Sequence, residues 1–478
     1  MRVVVLFLIA LAVHLDRLHF WTPYPDELQY GLAARSVWQP IHLSYAPIVT
    51  PSYLEAFGFP PLFAYLGMLA QRLGADVLSS VRIVAAVFGA GITAAVYGLL
   101  REVSDRRAAT LGSLLLLLLY PLNVFSVLGR PETSHFFCFL VSSIFLLRWA
   151  REGRSWLVVA AAVCIGTGVW FHEVSLSYGL AAVVYLSLTG LLRHRRLPYR
   201  EIVWFCVTLG LLVAPLLLLG HREGGDLLLE VSSDKSWRVT VEPLSFLGAV
   251  HSMLVNLTAM LGVPTFGRIV LGPACLASCA YLLWRSLAAG SPLGVLALSY
   301  LSIALPFFTW YPERFDYHLL PAAMMLLVVG ARELLAPRAP LLGGAQRYLA
   351  AGAACVLGIL VAANAVQDRA LFLGRGEYDY LREFIADASP RERVAAFPNL
   401  YLGWLSKRDG RGVTVLPLFS DLRYSINWPA VEDTGTDAVV LPDFYFERLS
   451  QEFPSDWAAV ARLFPRREIF AKLVVLRR

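Results

Sequence analysis

Charge is what this sequence has least of. Only 16% of its 478 residues are Asp, Glu, Lys or Arg, where a soluble protein of this size carries about 25%. With 57% hydrophobic residues and a mean hydropathy of +0.60, a water-soluble globular chain is excluded. Cysteine is scarce too. The six cysteines all fall in apolar blocks and none lies in the polar C-terminal part, so neither a disulfide nor a cysteine zinc site is expected there. Cys275 and Cys279, one helical turn apart with no histidine cluster, read as small packing residues. The chain also lacks a GxGxxG loop, a Walker loop, an HExxH motif, internal repeats and low-complexity tracts. Those absences remove the usual nucleotide-cradling and zinc-hydrolase readings. The net charge of +6 carries little information by itself, and no nucleic-acid partner is expected.

What is present is a series of apolar blocks, each near the length that crosses ~30 Å of hydrocarbon. Candidate spans run over 2–20, 81–100, 108–125, 133–149, 156–172, 174–192, 201–220, 266–284, 292–309, 318–334 and 348–365, about eleven in all. No small-residue cleavage site follows the first block, so it reads as an uncleaved span rather than a secretory signal. Lys/Arg placement sets the orientation. With the N-terminus in the cytoplasm, the inner loops carry Arg101, Arg106 and Arg107; Arg148, Arg151 and Arg154; Arg193, Arg195, Arg196 and Arg200; Arg285; and Arg332, Arg338 and Arg347. Segment 244–263 is also long enough to span, but crossing there would move Arg332, Arg338 and Arg347 outside. It is therefore expected to be interfacial or re-entrant, with His251 and Asn256 on its wetter face.

Two polar regions then fall outside the cytoplasm, with a third outer loop over 221–265. Loop 21–80 holds amphipathic and proline-rich passages suited to helices lying on the bilayer. The stretch 366–478 alternates β-like runs (RVAAFP, GVTVLPL, DAVVLP, AKLVVLRR) with helical runs (EYDYLREFIADA, DFYFERLSQEF), the pattern of a small α/β domain. The expected architecture is a mainly α polytopic domain over 1–365 and an extracytoplasmic α/β domain over 366–478.

Charges near lipid are costly, so a recurring set at one side needs a reason. In YPDELQY, Asp26 and Glu27 sit side by side between Tyr24 and Tyr30. One of them could act as a general base on an acceptor hydroxyl, its proton affinity raised by its neighbour; equally, Asp26 could cap a helix beginning near Glu27. In LGRPETSHF, Arg130 could pair with a phosphate and Glu132 could position it or the acceptor; a helix start with Pro131 near its first position and Glu132 in its first turn explains the same residues. His172 and Glu173 mark the next outer turn and are too sparse for a metal site. WYPERFDYHLLP crowds Glu313, Arg314, Asp316, Tyr317 and His318 at the lipid boundary, either as a phosphate contact through planar arginine donors or as a salt-bridged loop. Arg82 reads as a further phosphate contact or a snorkelling residue. Acids and arginines on one face suit a reaction in which a hydroxyl attacks a sugar carbon and an anionic lipid phosphate leaves.

On these motifs the chain resembles the GT-C glycosyltransferases, in the branch of the protein O-mannosyltransferases and the lipid A aminoarabinose and galacturonic acid transferases. The likeness is strongest over 1–150. PDELQYGLAAR is similar to the family's DE motif, FPPLFAYLGMLAQRLG to its PPL-aromatic stretch, SSVRIVAAVFG to its Arg-led second span, GRPE to its Arg-x-acid motif, and ERFDYHLLPA to its late basic-aromatic-LP motif. Where many relatives carry a lysine, this chain has His172 and Glu173. The resemblance implies an inverting transferase of the cytoplasmic membrane, active on the periplasmic side. Its donor would be a polyprenyl-phosphate sugar and its acceptor a lipid, glycan or protein hydroxyl. It implies Asp26 as base, Glu27 and Glu132 as supporting acids, and Arg130 and Arg314 as phosphate contacts. Asp26, Glu27 and Glu132 could also hold a divalent cation such as Mg or Mn, although this branch usually works without one. A transporter or flippase of a lipid-linked sugar is the alternative, but such proteins place ionisable groups near the midplane on interrupted, repeated helices.

Overall fold

The computed structural model describes residues 1–18, 27, 30–31, 61–172, 174–222, 268–310, 316–335, 377–397, 410–418, 426–470 and 473–478, with isolated positions between 254 and 261 and between 352 and 366. The chain divides into two compact units. One comprises Met1–Leu15, Pro60–Phe63 and Ile83–Ala370; the other comprises Asp16–Phe59, Ala64–Arg82 and Leu371–Arg478.

The first unit is a helical bundle. Its helices are α1 (Arg2–Asp16), the larger part of α3 (Val77–Val103), α4 (Arg106–Leu117), α5 (Tyr120–Val127), α6 (Glu132–Glu152), α7 (Ser155–Phe171), α8 (Ser175–His194), α9 (Tyr199–Arg222), α10 (Arg268–Ala288), α11 (Pro292–Trp310) and α12 (Asp316–Leu335); α2 (Pro61–Arg72) begins in it as well. Among the described residues, four helices are long and apolar enough to cross a membrane: α3, α6, and the stretches Ser175–Arg193 and Tyr199–Leu216. The protein is an integral membrane protein. Most helix bounds fall within a few residues of the expected spans, with one difference. The single span expected over 108–125 is two helices, broken at Leu118–Leu119. Pro121 sits in the first turn of α5, where its fixed φ starts a helix but cannot continue one.

Asp105 caps α4 by accepting from the N–H groups of Arg107 and Ala108 at 2.7 and 2.9 Å. Gly153, at φ +68°, closes α6 in the left-handed conformation that glycine adopts without strain. α6 packs on α7, α7 on α9, and α8 on α11, around a core that includes Phe139, Tyr178, Tyr185 and Tyr300. Ion pairs hold one set of helix ends together: Glu102 takes Arg148 and Arg151 at 2.7 and 2.9 Å, and Glu333 takes Arg285 at 3.3 Å. α9 turns Val203, Trp204, Val207 and Leu211 outward, an apolar face suited to lipid. Segment 244–263 is described only at four positions, of which Leu257 and Leu261 lie in the bundle core; His251 and Asn256 lie outside the described residues. So does most of 348–365.

The second unit contains a small mixed sheet. Its elements are α13 (Glu377–Asp387), β1 (Arg393–Ala396), β2 (Thr414–Pro417), α14 (Trp428–Glu432), β3 (Ala438–Pro442), α15 (Asp443–Glu452), α16 (Pro454–Leu463), β4 (Arg466–Phe470) and β5 (Leu473–Arg477). The strand order is β2-β1-β3-β5-β4. β1 runs parallel to β2 and β3, while β5 runs antiparallel to β3 and β4. Side chains alternate across each strand. Ala438 and Val440 join Leu381, Phe384 and Ile385 on one face, whereas Val439 and Leu441 join Leu449, Trp457 and Val460 on the other. A strand covered on both faces must be apolar at every position, which is why β3 reads AVVLP. All four β-like runs seen in the sequence are strands. β4 was not anticipated: RREIF is an exposed edge strand whose charges discourage further pairing.

Asp433 ties the start of this sheet. It accepts from the Gly435 N–H at 2.9 Å and pairs with Arg393 at 2.7 Å, which together hold its carboxyl below the ordinary carboxylate value. A depressed native value stabilises the fold above the unfolded carboxylate range, and that stabilisation is lost as pH falls through the native value. Thermal unfolding of the detergent-solubilised protein should therefore show a smaller loss of Tm below about pH 4 in Asp433→Asn than in the parent. An unchanged pH slope would remove Asp433 as a contributor.

Candidate active site

The acid motif is described at Glu27, Tyr30 and Gly31, all three helical. Glu27 is fully buried, and so is Arg82 in the second turn of α3. Arg82 donates through Nε to Glu27 Oε1 at 3.2 Å and through Nη2 to Oε2 at 2.8 Å, and its Nη1 donates to the Leu18 carbonyl. This two-pronged geometry is the strong form of an arginine–carboxylate pair. Burying two charges is costly, and only such geometry, with the remaining donor also satisfied, offsets the lost hydration. The structure thus gives Arg82 a carboxylate partner 55 residues away in sequence.

A short chain of hydrogen bonds holds Gly31. Gln71, in the last turn of α2, donates through Nε2 to the Gly31 carbonyl at 2.8 Å and to Ser80 Oγ at 3.0 Å. Ser80 Oγ donates to the Val77 carbonyl at 2.8 Å. A Cβ at Gly31 would come within 2.3 Å of that same carbonyl, so only glycine permits this approach. The Asp76 carboxylate accepts from the N–H groups of Leu78 and Ser79 and so caps the start of α3.

A second polar cluster lies within the bundle unit. α6 begins at Glu132, directly after Arg130 and Pro131. Arg130 Nη2 lies 2.8 Å from Glu132 Oε1, with Glu132 almost wholly buried. His135 stacks on Tyr178 with ring centroids 5.6 Å apart and lies 5.2 Å from His172. The Val174 N–H donates to His172 Nδ1 at 3.2 Å. Of the residues the sequence points to, the fold brings Arg130, Glu132 and His172 together with His135 and Tyr178. Tyr178 was missed because a tyrosine three residues into an apolar helix carries no local signal of the ring it meets.

Tyr30 is half-buried beside Glu27 in sequence. Asp26, Tyr24, Glu173, Glu313 and Arg314 lie outside the described residues, and His318 falls in the first turn of α12. Among the described residues no three His, Cys, Asp or Glu side chains converge as metal ligands. Glu27 and Glu132 are each compensated by an arginine and fit a cation poorly.

Residues 59–218 match the family described as dolichyl-phosphate-mannose-protein mannosyltransferase. Among solved structures, the chain is similar to ArnT from Cupriavidus metallidurans bound to undecaprenyl phosphate: 14% identity, TM-score 0.56, covering 99% of this chain and 97% of that one. It is also similar to the oligosaccharyltransferase AglB from Archaeoglobus fulgidus in complex with an inhibitory peptide and a dolichol-phosphate: 14% identity, TM-score 0.54, covering 96% of this chain and 70% of that one. No curated protein sequence matches. The fold is therefore one that these two structures share. The family match over residues 59–218 agrees with the resemblance that the sequence motifs carry.

Proposed function

We propose that this protein is an inverting glycosyltransferase that moves a sugar from a polyprenyl-phosphate donor to an acceptor hydroxyl on the extracytoplasmic face of the cytoplasmic membrane. Asp26 is the general base. It takes the acceptor O–H proton as the acceptor oxygen bonds to the anomeric carbon from the face opposite the phosphate. The bond from that carbon to the phosphate oxygen breaks, and polyprenyl phosphate leaves with the electron pair. Anionic charge grows on the leaving oxygen, so fixed cations aimed at it lower the barrier. Arg130, at the N-terminus of α6, and Arg314 fill that role; the helix dipole adds to the first. Glu132 holds the Arg130 guanidinium in place. Arg82 serves the acid motif rather than the phosphate, because its donors go to Glu27 and Leu18.

The observation that carries this reading is the solvent-excluded Glu27–Arg82 pair. It fixes the backbone directly after Asp26, and a base must be held in place to act. The fold shared with structures that contain undecaprenyl phosphate and dolichol-phosphate supports the donor class. The acceptor is a lipid, glycan or protein hydroxyl.

The test is transfer by the purified protein from a panel of polyprenyl-phosphate sugars. Expected products are polyprenyl phosphate and a glycoside of inverted anomeric configuration. Movement of the intact lipid-linked sugar across vesicles, with no glycoside formed, would overturn the proposal in favour of a flippase. In the same assay Arg314→Ala should raise KM for the donor more than for the acceptor; the reverse would end its phosphate role. Cysteines placed at Trp21, Thr240 and Leu400 should all label from the extracytoplasmic side. Labelling of Thr240 and Leu400 from opposite sides to Trp21 would overturn the orientation.

A further inference from the structure

Val77 and Leu78, in the first turn of α3, are buried in the core of the α/β unit. They pack with Leu381, Phe384 and Ile385 of α13 and with Val394 of β1. The same turn of α3 is the platform for the acid motif. The Val77 carbonyl meets Gly31, Ser80 reaches Gly31 through Gln71, and Arg82, one turn beyond Leu78, takes Glu27. All these residues belong to one compact unit.

We infer that Gln71 and the α13 side chains are positioning residues for the acid motif, so that the C-terminal α/β domain is a working part of the transferase rather than an appendage. The inference rests on the assignment of Asp26 as base. A buried apolar contact fixes the first turn of α3. Gln71 uses both amide hydrogens to latch Gly31 onto it. The ion pair closes the third side. Loosening any one of these lets the acid motif shift without removing a group that touches substrate, and a shift of about 1 Å at a reacting group costs on the order of 10²-fold in rate.

The test compares full-length Gln71→Met, which keeps side-chain length and loses the amide donors, with Phe384→Ala. Both are assayed for transfer per mole of folded protein. The expected result is a fall in kcat of at least about tenfold in each, with donor KM unchanged and the acidic limb of the pH–rate profile displaced. A purely structural role would lower the yield of folded protein and leave kcat and the pH profile as in the parent; that result in both variants would overturn the inference. Asp26→Asn assayed alongside separates the two claims. If Asp26→Asn is inactive while Gln71→Met and Phe384→Ala turn over normally, only the positioning claim fails. If Asp26→Asn is active, the base assignment fails whatever the other two do.

Discussion

Arg82→Met should destabilise the protein by about 3–5 kcal/mol, because it removes the guanidinium that pairs with the buried Glu27 carboxylate. Arg82 is fully buried and gives two bonds to that carboxylate and a third to the Leu18 carbonyl. The double variant Glu27→Leu with Arg82→Met should recover most of the loss, since a buried ion pair exchanged for apolar groups of similar volume is often neutral. The cycle therefore separates the cost of an orphaned charge from the net worth of the pair. Thermal unfolding in detergent measures both. A single variant that melts like the parent would mean that Glu27 protonates or finds another donor, and the pair would not be what holds the acid motif. Recovery of stability in the double variant need not restore transfer, because the polar lock beside Asp26 is still absent.

The second large effect is on chemistry. Asp26→Asn keeps the size of the side chain but removes the carboxylate proposed to accept the acceptor proton. General-base catalysis contributes about 10²–10⁴-fold, so transfer should fall by that factor while donor binding and Tm stay near those of the parent. Glu27→Gln should behave differently. It removes the anion of a buried ion pair, leaves the Arg82 guanidinium without that counter-charge, and so acts on stability as well as rate, whereas Asp26→Asn is expected to act on rate alone.

Much of the architecture can be read along the chain because it is local. Apolar blocks of spanning length mark the helices, Pro131 followed by Glu132 marks the start of α6, and the runs RVAAFP, GVTVLPL, DAVVLP and AKLVVLRR mark four strands of the sheet. What fails to show locally is decided by tertiary neighbours. RREIF has the composition of a solvated segment and becomes a strand only because β5 offers it an edge. The break at Leu118–Leu119 is hidden in a continuous apolar run whose only marker is Pro121. At the candidate site, the residue types were legible but the pairings were not. Arg82 reads as a lone basic residue near a helix start, and its partner lies 55 positions upstream. Gln71 is one polar residue on an amphipathic helix, with no sequence mark of its hold on Gly31. Periodicity reports which face of an element is buried; it carries no information about which distant residue meets that face.

The proposed function stands on Asp26 as the catalytic base of a polyprenyl-phosphate-dependent transferase. The most direct measurement is single-turnover transfer by purified Asp26→Asn, with donor binding and Tm recorded on the same sample. The expected result is a loss of transfer of at least about 10²-fold with binding and Tm retained. Transfer at the parent rate by a folded, donor-binding Asp26→Asn protein would contradict it.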